Sequence, residues 1–113
     1  MSPDDYKYLG FQLWQEGVAR YPEYRMGELA TTGYAASPAF TALPDFALCA
    51  AASQAILDRI HTQLTTVKLS EAQRSAFYPE GAGEGILLNR VSPGWRSQYS
   101  NAGFTLDRLL GGK

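Results

Sequence analysis

The 113-residue sequence predicts an all-α fold, a compact bundle of about five helices, two of them long and the rest short. Three observations carry this expectation. Fifteen Ala and thirteen Leu stand against three Val and three Ile, and helices favour the first pair while strands favour β-branched residues. Apolar positions recur at three- and four-residue steps rather than alternating. Helix-start signals recur as well, in Ser2-Pro3-Asp4 and in Ser70 ahead of Gln73. No linker, repeat or low-complexity tract divides the chain, so residues 1–113 are expected to form a single helical domain.

The first long helix is expected to start at Ser2, an N-cap followed by Pro3 in the first turn and by two acids at the positive end of the helix dipole. Tyr6, Leu9, Leu13, Gly17 and Tyr21 then form one stripe, widened by Trp14 and Val18. Pro22 should end or kink the helix near Tyr21, with a short turn after it. Residues 29–44 carry no charge and are punctuated by Gly33, Pro38 and Pro44, which predicts an ordered loop lying over the core. A second long helix is expected from about Pro44 to Thr66, with Cys49, Ser53, Ile56, Ile60 and Leu64 on one face and Ala50–Ala52 allowing close contact. Ser70 with Gln73 resembles a capping box for a third helix, broken at Tyr78-Pro79-Glu80-Gly81. Short helices through Ile86–Val91, Trp95–Tyr99 and Leu106–Leu110, the last capped by Thr105, complete the chain. Trp14 and Trp95 are expected at the centre of the core.

A formal net charge of -1 argues against a general nucleic-acid binder, and no apolar run is long enough to cross a bilayer. An acidic, polar N-terminus is unlike a secretory leader, so the default location is cytoplasmic. One cysteine, Cys49, excludes an internal disulfide, and one histidine, His61, excludes a two-histidine metal motif built from this chain. His61 lies on the rim of the second long helix, where it gains chemical interest only with Glu16 or Glu84 in hydrogen-bond reach. The Gly81-Ala82-Gly83-Glu84-Gly85 run lacks the Lys-Ser/Thr of a phosphate loop and reads as a tight turn feeding a closely packed helix.

The sharpest local signal is Trp14-Gln15-Glu16-Gly17-Val18-Ala19-Arg20-Tyr21. On an ideal helix Glu16 lies about 20° outside Leu9, at the edge of the buried stripe. Its carboxylate then either follows a helix–helix groove beside Gly17 or pairs with Arg20 at i,i+4. The segment resembles the W-x-E-G-[LV]-A-x-Y stretch of gluzincin-like zinc peptidases, and Gly81–Arg90 with Pro93, Trp95 and Tyr99 is similar to the closing segment of some predicted peptidases of that kind.

The resemblance implies that Glu16 stands where the family has its third metal ligand, with Trp14, Tyr21, His61 and Glu84 lining the groove. The family's HExxH part is absent from this chain, so the resemblance implies the C-terminal helical half of such a peptidase, truncated or degenerate, with no catalytic residue of its own. Zinc is expected only if a histidine-bearing partner or upstream segment completes the site, and an exposed apolar patch should lead to self-association or docking of the missing half. The alternative is a helical interaction or small-ligand-binding module, as a homodimer, with no nucleic-acid or membrane partner.

Overall fold

The Ser2 cap sets the first helix as its sequence dictates. The Ser2 hydroxyl accepts from the Asp5 N–H at 3.1 Å, and the Asp5 carboxylate accepts in return from the Ser2 backbone at 3.3 Å. The computed structural model describes residues 1–111, all-α with no strand among them. Helix α1 (Pro3–Gln12) passes through a π-helical turn (Leu13–Gly17) directly into α2 (Val18–Gly33). A short α3 (Pro38–Thr41) leads to α4 (Cys49–Thr66). Helix α5 (Leu69–Ala72) and a 3₁₀ turn (Gln73–Ala76) precede α6 (Phe77–Val91), then α7 (Trp95–Gln98) and α8 (Leu106–Gly111).

Two breaks expected from the sequence do not occur. The helix through Pro22 continues to Gly33, because that proline is exposed and the turns after it are held against α4, where Gly27 meets Ser53. The buried small residue at this crossing is Ser53, and Ala50–Ala52 face solvent. The Tyr78-Pro79-Glu80-Gly81 segment opens a third long helix instead of ending one. Pro79 lies in the first turn of α6, where a missing N–H costs no intrahelical bond. Ser70, expected as a cap, lies inside α5, and the chain turns at Gln73 with φ 49°. Thr105 precedes α8, yet its hydroxyl donates to the Ala102 carbonyl at 2.6 Å.

The core lies where α2, α6, α7 and α8 meet. Tyr21, Leu88, Trp95 and Leu106 form its buried centre, flanked by Val18, Ile86, Tyr99 and Leu109. Burial of side chains this large contributes about 2–3 kcal/mol each. Trp95 is 1 % exposed whereas Trp14 is 39 % exposed, so only one of the two tryptophans is central. Tyr34, Phe40 and Phe46 pack edge to face with one another, at 6.4 and 5.4 Å between ring centroids. The uncharged segment thus joins Phe46 in a separate aromatic cluster, with Phe40 and Leu43 exposed, instead of covering the core.

Glycine makes the closest helix contact. Gly17 and Gly81 oppose each other so tightly that a Cβ built on Gly17 would lie 2.4 Å from the Phe77 carbonyl oxygen and 2.7 Å from the Gly81 Cα. One turn later on α6, Gly85 admits the ring of Tyr21. The glycine run around Glu84 is therefore the middle of a helix with two neighbours seated on its backbone.

Candidate functional site

Glu16 sits on the π turn, whose defining bond runs from the Val18 N–H to the Leu13 carbonyl. Its side chain is 14 % exposed and lies toward the start of α6, with one carboxylate oxygen 4.0 Å from the Arg74 guanidinium. Arg74 itself is 72 % exposed, so this ion pair contributes under about 1 kcal/mol. Tyr78 closes the arrangement. Its phenol is pushed above its ordinary pKa, first by hydrogen bonding to Glu16, then by burial and by that carboxylate's charge. The alternative pairing of Glu16 with Arg20 is not formed. Arg20 instead binds Glu23 at 2.9 Å and lies over the Tyr78 ring at 5.9 Å, beside a recess of about 240 Å³.

The described residues around Glu16 do not by themselves build a zinc centre. The groups beside Glu16 are the Arg74 guanidinium, 4.0 Å from one carboxylate oxygen, and the Tyr78 phenol, neither of them a usual zinc ligand. Among the described residues no three His, Cys, Asp or Glu side chains come together to hold a metal ion. Among the described residues Glu16 is not joined by the further ligands a metal ion needs.

The residues expected to line a groove with Glu16 are dispersed by the helical phase. Trp14 points to the opposite side, against Phe11 and Phe104. Tyr21 is a core residue, 3 % exposed, edge-on to Trp95. Its hydroxyl donates to the Asn89 side-chain oxygen at 3.2 Å and accepts from Arg96 at 2.6 Å. Tyr21→Phe should therefore lower stability by about 1 kcal/mol in urea unfolding, because Arg96 and Asn89 keep their own 3.0 Å bond. A loss near zero would mean that the hydroxyl is exchanged for solvent without cost.

His61 and Glu84 do share a site. Both line a groove between α4 and α6 of about 390 Å³, with Ile60, Leu64, Ile86 and Leu87 as its apolar walls and Glu80 at its rim. No hydrogen bond joins His61 to Glu84 or to Glu16 among the described residues, so no acid–base pair is formed. Burial, then the charges of Glu80 and Asp107, push the Glu84 carboxyl up to about 7. Its Oε2 is buried without a hydrogen-bond partner, as is the hydroxyl of Tyr99, whose pKa is raised by burial and by Glu84. A carboxyl in this state exchanges a proton near neutrality while lying beside an apolar wall.

Tyr78, Arg74 and Phe104 have no place in the sequence reading of the site. Tyr78-Pro79 has the look of a helix breaker, which conceals that Tyr78 belongs to the first turn of a helix crossing the π turn. Comparison with protein-family models, curated proteins and solved structures finds no match to this chain.

Proposed function

We propose that this chain is a helical interaction module that works as a homodimer, closed through the groove between α4 and α6. The carrying observation is surface area. The chain exposes 7582 Å², whereas a monomer of 12.4 kDa is expected to expose about 6,100 Å². The excess exceeds the roughly 800 Å² that each partner buries in a standard interface. The radius of gyration agrees, at 16.3 Å against about 13 Å for a chain near this length.

The α4–α6 groove has the chemistry for a second copy of itself. Leu64 and Leu87 are 43 % and 47 % exposed at its edges, and Val91 extends the same face of α6 at 54 %. A two-fold axis through the groove brings each patch onto its own counterpart. His61 of one copy then faces the Glu80–Glu84 pair of the other, so the polar groups are complementary where the apolar ones match.

Sedimentation equilibrium tests this directly. The expected result is a mass of twice the chain at micromolar concentration, reduced to a single chain by Leu64→Asp with Leu87→Asp while the helical circular dichroism is retained. A wild-type protein that stays monomeric at every concentration would remove the reading.

One observation favours a second reading, the Glu-bearing half of a gluzincin-like peptidase. Glu16 lies on a π turn with little exposure, facing another helix rather than bulk water. In that reading the histidines come from another segment or chain. An in-frame HExxH upstream of Met1 supports it, and an upstream region without coding potential counts against it.

A further inference from the structure

A further recess lies between α1 and the Gly103–Arg108 segment, and Tyr6, Phe11, Trp14 and Phe104 are the aromatic residues that line it. Phe11, Trp14 and Phe104 surround a cavity of about 280 Å³ with ring centroids 5.6 and 5.0 Å apart. All three rings are partly exposed, at 48 %, 39 % and 42 %. The rings are held in place rather than loosely gathered. Phe104 follows Gly103, and the two adopt left-handed backbone at φ 58° and 67°, a conformation that a bulky residue rarely takes. The Phe104 N–H donates to the Tyr99 carbonyl at 3.1 Å, and its ring packs edge-on against Tyr99 at 5.4 Å. From Tyr99 the ring contacts continue through Trp95 to Tyr21, so the wall of the recess is anchored in the core.

The two charged residues that line the recess are both cations, with Asp4 and Asp107 next to it. Lys7 and Arg108 line it, and no carboxylate does. Asp107 stands nearby but accepts the Tyr6 hydroxyl at 2.8 Å. Asp4 reaches Lys7 only at 3.9 Å, with both side chains largely in water. Arg108 has no ion pair among the described residues.

We propose that this recess between α1 and the Gly103–Arg108 segment binds a compact aromatic anion, its ring stacked among Phe11, Trp14 and Phe104 and its acidic group met by Lys7 and Arg108. Flat, partly exposed rings favour a planar apolar body, because stacking adds to burial of area. The two cations select an acid over an amide or amine. The volume of about 280 Å³ falls just below the roughly 300–1,000 Å³ of small-molecule sites, which favours a compact ligand over a folded protein segment.

Naphthoate, naphthamide and naphthylmethylamine are suitable probes, followed by titration calorimetry. Saturable binding of naphthoate is expected, with the amide and the amine each about tenfold weaker or more, one bidentate ion pair being of that order. Arg108→Gln, an exposed substitution that leaves the fold intact, should weaken naphthoate about tenfold while leaving the amide unchanged. Phe104→Ala should weaken all three. Equal affinities for acid, amide and amine, or naphthoate binding unaffected by Arg108→Gln, would overturn the proposal. Absence of saturable binding by naphthoate would do the same.

Discussion

Gly17→Ala and Gly81→Ala are each expected to destabilise the protein by about 3 kcal/mol or more, and the double substitution should prevent folding. On propensity alone the sign would be opposite, since Ala is better than Gly in a helix by up to about 1 kcal/mol. Contact geometry decides the contest. A Cβ at Gly17 would meet a carbonyl oxygen at 2.4 Å, and one at Gly81 would meet the Gly17 Cα at 2.6 Å. Those neighbours are main chain, so no side chain can swing aside to relieve the clash. Gly33→Ala is the control, because nothing lies within 4 Å of its added methyl group, and it should be neutral or slightly stabilising. Urea unfolding followed by circular dichroism compares the three. If Gly17→Ala behaved like Gly33→Ala, the backbones of the π turn and α6 would not cross there.

The second large effect concerns pH. Glu84 has a folded pKa of about 7 against an ordinary value of 4.5, with burial the leading cause. Below pH 4.5 it is protonated in both folded and unfolded chains and costs nothing. Between 4.5 and about 7 the unfolded chain releases its proton while the folded chain retains it, so stability falls as pH rises. Above that window the loss is complete, on the order of 2 kcal/mol after allowance for the partly solvated position of the group. Glu84→Gln should flatten this slope, matching the wild type in acid and exceeding it by about that amount near pH 8. Equal slopes for the two proteins would mean that Glu84 ionises freely in the fold. Asp107→Asn offers a finer check, since it removes one of the two charges that add to the burial effect.

Much of the local structure was legible because the relevant physics is local. Ser2-Pro3-Asp4-Asp5 specifies a helix start by hydrogen bonds within four residues, and that start forms as read. The π turn was also latent in the pattern. Leu9, Leu13, Gly17 and Tyr21 advance by four residues each time, which drifts about 40° per step on an ideal helix. A widened turn absorbs part of that drift and keeps Leu13, Gly17 and Tyr21 on the buried side. The misread elements share a cause. Pro22 and Pro79 look alike as breakers, but their effect depends on whether a neighbouring helix holds the next turn and on where in the helix each falls. Trp14 and Trp95 likewise differ only in what packs over them.

Composition and periodicity by themselves determined that the chain is all-α, where its first helix begins, and that one histidine and one cysteine limit any metal chemistry within it. Those properties follow from covalent identity and from interactions reaching no more than one helical turn. Tertiary structure alone decided that Trp14, Glu16 and Tyr21 face three different surroundings, that the groove His61 and Glu84 share includes none of them, and that Phe104 joins Phe11 and Trp14. Each of these depends on what residues distant in sequence pack against it, as where the backbones of Gly17 and Gly81 meet.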